Sequence, residues 1–387
     1  MLTTLALAGY RSLRELIVPL GPLNVITGAN GSGKSSVYRA LRLLALTARG
    51  GVIPSLAREG GLQSTLWAGP ERFSRAMLEG TAPVQGTRRH EPVSLRLGFS
   101  GDTFGYAIDL GLAVPGESEF ALDPVIKREC IWSGPVLRPS ALLVERHGAT
   151  LRCRGHAGDW QTLPSSLASF DSMMSEFSDP LSAPEMLTLR QQIRSWRFYD
   201  HFRTDEDAPA RQPQIGTHTP VLSDDGADLA AALQTIREIG DHRALDAAID
   251  DAFPGSRIVI HNHAGRFEVT MQQHGLLRAL SATELSDGTL RYLLLVAALL
   301  TPRPPALLVL NEPETSLHPD LLPALARLII QAAAHAQVIV VSHAARLIAA
   351  LERSSESHAI VLEKELGATR IANAGSLDLP AWKWPAR

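Results

Sequence analysis

A glycine-rich stretch near the amino terminus has the residue types and spacing of a phosphate-binding loop. Residues 28–35, Gly-Ala-Asn-Gly-Ser-Gly-Lys-Ser, match the pattern G-x-x-x-x-G-K-[ST] in full. The glycines let backbone N–H groups turn towards phosphate oxygens, and the helix that follows points its positive end at the same anion. We expect Lys34 to reach the β- and γ-phosphates and the Ser35 hydroxyl to bind Mg²⁺. A glycine-rich turn with a chance lysine is the structural alternative, but the predicted strand before it and helix after it favour the phosphate loop.

A second group of polar residues follows an apolar strand far along the chain. Leu307–Leu310 run directly into Asn311 and Glu312. In P-loop ATPases the end of such a strand faces the γ-phosphate and the metal, where a carboxylate orients and deprotonates the attacking water, so Glu312 is the candidate base. The alternative is a helix N-cap region after a core strand, where Asn and Glu are common. Asn311 stands where Asp is usual, so we expect weaker electrostatic support of the metal and slow turnover.

Two further sites flank that strand in the sequence. Residues 285–288, Leu-Ser-Asp-Gly, combine the Ser286 hydroxyl, Gly288 and a predicted helix N-terminus, which together make a second anion-binding device. One chain cannot easily fold this site onto its own phosphate loop, so a partner chain is expected to supply it; the alternative is a capped helix with Ser286 as N-cap. His343 follows a buried strand and alone would be a structural residue, but in this order of motifs it is a candidate γ-phosphate sensor.

Composition restricts the class of protein. The chain has 387 residues, of which 45% are hydrophobic and 20% charged, and a formal net charge of −3, which does not by itself indicate a nucleic-acid partner. Cys130 and Cys153 form neither a zinc motif nor a disulfide framework, so a reducing, cytoplasmic location is expected. The amino terminus lacks the basic start of a signal peptide, and the apolar run 292–300 is shorter than the about 20 residues that span a bilayer, so no membrane association is expected.

Hydrophobic periodicity predicts the elements that must position these residues. Residues 91–160 alternate apolar and polar side chains, as half-exposed antiparallel strands do, and residues 228–252 read as a helix or helix pair. Residues 205–220 are the best loop or hinge candidate. The elements predicted at the two ends of the chain are strands at 2–8, 23–27, 306–310 and 338–341, and helices at 34–47, 286–300, 321–335 and 344–352. This order indicates one parallel sheet with helices on its faces, interrupted by an insertion.

The predicted organisation therefore has four segments. They are the N-terminal half of the nucleotide-binding core at 1–90, an antiparallel β-subdomain at 91–160, a helical or mixed insertion at 161–275, and the C-terminal half of the core at 276–387.

Taken in order, these motifs resemble the RecF/SMC/OLD-like branch of the ABC-type ATPases. The corresponding segments are Gly9–Leu13 for the N-F-R-S motif, Gly28–Ser35 for Walker A, Leu285–Gly288 for the signature, Leu307–Glu312 for Walker B, Pro313–Pro319 for the D-loop segment and His343 for the switch histidine. Asp287 stands where the signature usually has a glycine. The resemblance covers residues 2–50 and 280–345 and is weaker across the middle, where sustained heptads, and hence a long SMC coiled coil, are missing.

The resemblance implies the fold, the cofactors and the partners. The fold would be α/β: a P-loop ABC-type ATPase head with a mostly parallel core sheet and helices on both faces, an antiparallel β-subdomain and a helical insertion. The activity would be hydrolysis of ATP with Mg²⁺ in a homodimer that forms on ATP binding. DNA, in repair or phage defence, or a separate effector protein, would be the further partner, by family analogy alone.

The resemblance also implies a set of site residues. Catalysis would fall to Glu312, His343 and Lys34, and the metal to Ser35, Asn311 and Gln63, where Gln63 is the candidate for the Q-loop. The nucleotide-binding residues would be Arg11, Ser12, Asn30, Gly31, Ser32, Gly33, Lys34, Ser35, Ser36, Ser286 and Gly288.

Several alternatives stay open at this point. Asn311 also suits a nucleotide sensor with little hydrolysis, and a small-molecule kinase would share the phosphate loop but leave residues 285–288 unexplained. Residues 196–203 interleave aromatic and basic side chains, as in single-strand binders, although a packed strand is favoured. His261, His263 and His274 lack a thiolate or carboxylate to complete a metal site, so exposed histidines are favoured there.

Overall fold

A computed structural model describes residues 1–85, 93–113, 119–120, 122–155, 158–164, 167–375 and 378–386. Its contacts divide the chain into two units: unit 1 contains residues 1–21, 27–195 and 360–387, and unit 2 contains residues 22–26 and 196–359. The predicted boundary between residues 90 and 91 lies outside the described residues. The predicted division into four segments stays a prediction.

The helices and strands have the following bounds. The strands are β1 (Leu2–Tyr10), β2 (Leu13–Pro19), β3 (Leu23–Gly28), β4 (Leu95–Gly101), β5 (Phe104–Leu112), β6 (Pro124–Ser133), β7 (Leu142–His147), β8 (Thr150–Arg154), β9 (Trp160–Thr162), β10 (Arg197–Tyr199), β11 (Gln214–Ile215), β12 (Arg257–His263), β13 (Arg266–Gln272), β14 (Leu280–Ser281), β15 (Leu307–Asn311), β16 (Gln337–Val341), β17 (Ser357–Glu365) and β18 (Ala368–Ile371). The helices are α1 (Lys34–Thr47), α2 (Val52–Arg58), α3 (Leu62–Thr65), α4 (Arg75–Leu78), α5 (Met173–Glu176), α6 (Pro184–Ser195), α7 (Leu229–Ile239), α8 (His242–Ala252), α9 (Asp287–Leu299), α10 (Leu322–Ala333) and α11 (Ala345–Leu351).

Unit 1 is built on an antiparallel sheet. Its strands lie in the order β2-β1-β4-β5-β6-β7-β8-β9, and every neighbouring pair is antiparallel. The antiparallel strands predicted between residues 91 and 160 are therefore confirmed. Their predicted half-exposure is wrong for β4 and β5, which are buried along almost their whole lengths.

The neighbouring strands β6 and β7 also contain charged residues that are buried in a polar cluster. Glu129 on β6 and Arg146 on β7 are both fully buried and form an ion pair with Nη1–Oε2 at 3.0 Å. Glu129 also accepts hydrogen bonds from the Tyr106 hydroxyl at 2.7 Å and from the backbone N–H of Met173 at 2.9 Å. Charged residues that satisfy one another inside a sheet keep the alternating pattern of a half-exposed strand without being exposed.

Unit 2 is built on parallel strands. The strands β10, β15, β16 and the first residues of β3 lie side by side in that order, with Tyr199 opposite Leu310, Asn311 opposite Val341, and Val341 opposite Ile26. Strands of a parallel sheet are covered on both faces, which is why β16 is apolar and buried throughout its central part. The carboxyl ends of these strands meet at one edge, where polar residues follow each of them.

Helix α9 lies in the apolar core of unit 2. It begins at Asp287, with the Ser286 side chain as its N-cap, and every residue from Thr289 to Leu299 is buried. A helix that is apolar around its whole circumference is a core helix when it is this short. Among the described residues, no helix is long and apolar enough to cross a membrane.

The aromatic and basic stretch at 196–203 forms a packed strand and its exit. Trp196, Tyr199 and Phe202 are each at most 2% exposed, and Arg197–Tyr199 pair with β15. Buried rings cannot offer a face on which nucleobases stack, so the single-strand-binding alternative is wrong for these side chains.

The histidines of the β12–β13 hairpin region are exposed, as expected. His261 and His263 lie on β12 with their rings stacked at 6.0 Å, and His274 is also exposed. Within the described ranges, no group of three or more His, Cys, Asp or Glu residues is arranged to hold a metal.

Candidate functional site

The phosphate loop of unit 1 leaves β3 at Gly28 and enters α1 at Lys34. Gly33 has a φ of +110°, and a Cβ placed on it would lie 2.2 Å from the Thr369 hydroxyl, so this position needs glycine. Gly31 has a φ of +79°, and a Cβ placed on it would meet no atom within 4 Å. The loop is therefore closed on its Thr369 side and open at Gly31, where its backbone can approach a ligand.

Lys34 lies inside this loop. Its ammonium group donates hydrogen bonds to the carbonyl oxygens of Gly28, at 2.7 Å, and Ala29, at 3.1 Å, and the residue is 7% exposed. The Ser32 hydroxyl is buried and, within the described residues, has no hydrogen-bond partner. In the part of the chain that the structure describes, this buried cation binds loop carbonyls and lies in the same loop as an unsatisfied hydroxyl, an arrangement that fits an anion able to bind both.

The first turn of α1 supports the same anion. It contains no acidic residue, and its N-cap, Gly33, offers no side-chain cap, so its backbone N–H groups and the helix dipole are available to a ligand. The predicted residues Asn30, Gly31 and Ser35 are exposed and Ser36 is half-buried. The structure thus groups the predicted phosphate-loop residues at one helix N-terminus.

Of the other predicted residues of unit 1, Ser12 is connected to the phosphate loop by hydrogen bonds. The Ser12 hydroxyl lies 2.8 Å from the Thr369 hydroxyl, which in turn donates to the Ser32 carbonyl oxygen at 2.8 Å. Ser12 is therefore linked to the loop through Thr369, a residue that no motif indicated.

For Arg11 and Gln63, the described residues show no hydrogen bond to the phosphate loop. Arg11 has a φ of +49°, and its Nε donates to Glu59 Oε2 at 3.1 Å. Burial chiefly raises the pKa of the adjacent Tyr10 hydroxyl, which donates to the same carboxylate at 2.7 Å. Gln63 is exposed on the short helix α3. Their assignments to nucleotide and metal stay predictions.

In unit 2, Glu312 stands at the first position after β15. Its φ is +47°, in the left-handed region that a non-glycine residue enters at a cost of about 1–3 kcal/mol. The backbone is held there because the Glu312 N–H donates to the Val341 carbonyl oxygen at 2.8 Å. The side chain is 43% exposed, so its carboxylate is accessible to water. Strain of this kind concentrates at functional sites.

His343 lies next to Glu312. Its Nδ1 is 3.7 Å from Glu312 Oε1 and 3.5 Å from Glu314 Oε1, and the side chain is 56% exposed. The two predicted residues, at the ends of β15 and β16, are thus brought together.

Glu314 holds the turn that carries His343. Its Oε1 accepts from the Ser342 hydroxyl at 2.7 Å and from the backbone N–H groups of His343, at 3.1 Å, and Ala344, at 3.2 Å. The sequence placed Glu314 in the D-loop segment without assigning it a role. No sequence signal separated Glu314 from its polar neighbours, because its role depends on burial beside three donors from the exit of β16.

Asn311 is paired with an acid from the neighbouring strand. Its Nδ2 donates to Asp200 Oδ1 at 2.7 Å, across the 111 residues that separate them in sequence. Asp200 directly follows β10, as Asn311 ends β15, and the strands are in parallel register. The sequence motifs contained no indication of Asp200.

The signature residues stand at the start of α9. The Ser286 hydroxyl accepts from the Thr289 N–H at 3.2 Å, so the serine is a helix N-cap, and it is exposed as well. Arg211, 6% exposed, donates to the Leu285 carbonyl oxygen and to Asp287 Oδ1, both at 2.8 Å. Arg211 therefore fixes the loop before the helix and neutralises the acid found in place of a glycine. Gly288 is half-buried, and a Cβ placed on it would lie 2.9 Å from the Ser316 carbonyl oxygen.

Arg291 connects this helix to the strand ends. It is 2% exposed, and its Nη2 donates to the carbonyl oxygens of Asp200, at 3.2 Å, and Glu312, at 3.3 Å. Burial lowers the pKa of its guanidinium, and the carboxylates of Asp200 and Glu314 oppose that shift. One buried cation thus ties α9 to the exits of both β10 and β15.

Three solved structures are similar to this chain over almost its whole length. The chain is similar to an SMC head bound to the C-winged helix domain of ScpA, with a TM-score of 0.50 and 14% identity over 96% of each chain. It also matches the SMC head domain from Thermotoga maritima, with a TM-score of 0.45 and 16% identity over 97% of this chain and 99% of that one. The third structure is an SMC head with an extended coiled coil, bound to the C-terminal domain of ScpA from Pyrococcus furiosus. It matches with a TM-score of 0.48 and 14% identity over 96% of this chain and 95% of that one. A search of the curated proteins gave no match.

Fold and motifs together define an SMC/ABC-like P-loop ATPase fold of mixed α/β type with several sheets. Residues 23–349 match the protein family described as "AAA domain, putative AbiEii toxin, Type IV TA system". Since the match covers most of the chain, the protein belongs to this family.

Proposed function

We propose that this protein binds ATP with Mg²⁺ and hydrolyses it to ADP and phosphate. The observation that carries the proposal is the phosphate loop, in which Lys34 already lies among the loop carbonyls at 2.7 and 3.1 Å and no acidic residue occupies the first turn of α1. A triphosphate would replace these carbonyls as the partner of the ammonium group, since a charge-assisted bond to phosphate is the stronger one.

The exits of β15 and β16 would supply the chemistry. Glu312 would orient and deprotonate the attacking water, and His343, adjacent to it, would bind the γ-phosphate. Ser35 and Asn311 would hold Mg²⁺, which when bound would supply positive charge to offset the charge that develops on the phosphate oxygens. Hydroxyl, amide and carboxylate oxygens are ligands that this ion accepts, so Ser35 and Asn311 fit the role predicted for them.

The working site would need two copies of the chain. Ser286 is exposed at the N-terminus of α9, where a hydroxyl and helix dipole can meet an anion from a second molecule. Each phosphate loop would then face Ser286 and Gly288 of its twin, and hydrolysis would separate the two heads.

Light scattering with the Glu312→Gln variant tests the proposal. With ATP and Mg²⁺ the mass should double, because the variant binds ATP but cannot activate water, and phosphate release should fall at least about 100-fold from the wild-type rate. Glu356→Gln, an exposed glutamate of the same chain, is the control and should retain wild-type release. A chain that binds no ATP, or that stays monomeric with ATP bound, would contradict the proposal.

Asn311 favours a second candidate, a nucleotide sensor with little hydrolysis that controls a separate effector protein. The family description names a type IV toxin–antitoxin system, which suits a partner protein. The same phosphate-release assay separates the two candidates: wild-type protein that dimerises with ATP but releases no phosphate over many hours is a sensor.

Repeating the assay with DNA present shows whether DNA, the other proposed partner, changes turnover.

A further inference from the structure

The strand β15 ends without the carboxylate that usually stands at this position in a metal–nucleotide site. In P-loop ATPases an acidic residue before the catalytic glutamate supports Mg²⁺, and here that position is the neutral Asn311. A neutral amide can accept a hydrogen bond from a metal-bound water but brings no compensating charge.

The neighbouring strand brings a carboxylate to the same place. Because β10 and β15 are parallel and in register, with Tyr199 opposite Leu310, the residues that follow lie side by side. Asp200 Oδ1 accepts the Asn311 Nδ2–H at 2.7 Å. The amide therefore gives its donor to the acid, and its own oxygen remains available as an acceptor.

Asp200 is also fixed relative to Glu312. The buried Arg291 donates to the carbonyl oxygens of both residues, at 3.2 and 3.3 Å. Because both acceptors are backbone carbonyls, Arg291 fixes the exits of β10 and β15 relative to each other and leaves both carboxylates available. Glu314 adds a second carboxylate to the charge around Arg291, and its Oε2 is buried without a hydrogen-bond partner among the described residues.

We propose that Asp200 supplies, from β10, the carboxylate that β15 lacks, and so supports the divalent metal of the bound nucleotide together with Asn311. The proposal rests on the proposed function, since it concerns the same metal–ATP complex. Asp200 is a positioning residue: it would hold the Asn311 amide and accept hydrogen bonds from metal-bound water, as outer-shell carboxylates do.

The test measures metal dependence of nucleotide binding. Binding of a fluorescent ATP analogue is titrated with MnCl₂ in a Glu312→Gln background, which suppresses hydrolysis. Asp200→Asn keeps an oxygen that can accept the Asn311 hydrogen bond but loses the charge. We expect it to raise the Mn²⁺ concentration at half-maximal binding by about 10- to 100-fold. Asp205→Asn, the same change at an exposed acid paired with Arg203, should leave the titration unchanged.

A charge exchange completes the experiment. In Asp200→Asn with Asn311→Asp, the carboxylate moves to β15 and the hydrogen-bonded pair is retained, so the Mn²⁺ requirement should return to within about threefold of the parent. If Asp200→Asn has the same Mn²⁺ requirement as its parent, or if the exchange rescues nothing, the role of Asp200 is refuted while the proposed function stands. If the parent protein itself does not bind the analogue at any Mn²⁺ concentration, the proposed function fails.

Discussion

Glu312 combines an unfavourable backbone conformation with an accessible carboxylate. At a φ of +47° most side chains are strained, and among the described residues the carboxylate forms no ion pair within hydrogen-bond distance, since His343 Nδ1 lies 3.7 Å away. Folding gains little from this side chain. A glutamate at this position is therefore better explained by activity than by stability, in line with the trade-off between the two at strained sites.

Replacing Glu312 by glycine tests that explanation. Glycine removes the strain of about 1–3 kcal/mol but adds about 0.5–1 kcal/mol of backbone entropy to the unfolded chain, so Glu312→Gly should leave the free energy of unfolding unchanged or raise it by up to about 2 kcal/mol. Phosphate release should be abolished. Urea denaturation and the release assay measure the two quantities.

The control is a glutamate with ordinary backbone. Glu352, at the end of α11, has a φ of −64°, so Glu352→Gly should cost about 1 kcal/mol and leave phosphate release intact. If Glu312→Gly destabilised the fold by 2 kcal/mol or more, the glutamate would have a structural role that the geometry does not indicate.

At the scale of elements, Glu314 joins the exit of β15 to the exit of β16. Three donors from residues 342–344 converge on its Oε1, and the residue is 8% exposed. The turn that carries His343 is thus held by one buried carboxylate.

Removing that acceptor should loosen the turn. Glu314→Leu removes the acceptor of the Ser342 hydroxyl and the His343 N–H, while the Ala344 N–H keeps its hydrogen bond to Ser342 Oγ at 3.1 Å, so the free energy of unfolding should fall by about 2–3 kcal/mol. Glu314→Gln keeps one oxygen acceptor and should cost about 1 kcal/mol. Glu356→Leu, at an exposed site, should stay within about 0.5 kcal/mol of wild type. Equal urea midpoints for Glu314→Leu and Glu356→Leu would show that the turn does not depend on this carboxylate.

The elements also show what the sequence could and could not predict. The helix starting at Lys34 and the strand ending at Asn311 were predictable because local spacing determines them. Asp200 was not, because its contact with Asn311 depends on which strands pair and in which register, and hydrophobic periodicity fixes neither. Thr369 was missed for the same reason, since 337 residues separate it from Ser32.

Hydrophobic periodicity also gave the wrong burial for strands in residues 91–160. Alternation predicted half-exposed strands in residues 91–160, yet Glu129 and Arg146 are fully buried. The alternating pattern shows which side chains are polar but not which are exposed. A charged side chain can be buried when a residue of opposite charge is buried next to it.

At the scale of the whole molecule, the proposed dimer would take both parts of each site from the same kind of chain. The phosphate loop with Lys34 belongs to unit 1, and the signature serine, exposed at Ser286, belongs to unit 2. A twofold dimer repeats every contact, so two chains would form two equivalent sites, each taking its loop from one chain and its signature from the other.

Mixing two inactive variants tests this arrangement. Lys34→Met removes the phosphate cation, and Ser286→Arg blocks the signature, so each homodimer should release no phosphate. In a mixture half of the dimers are mixed and one of their two sites is intact, so phosphate release should recover to about a quarter of the wild-type rate. Lys34→Met mixed with Glu312→Gln is the matched control: both residues are proposed to serve the same chain's nucleotide, so every site is defective and the rate should stay at zero. Recovery in the control mixture, or none in the first one, would mean that loop and signature are not shared between chains as proposed.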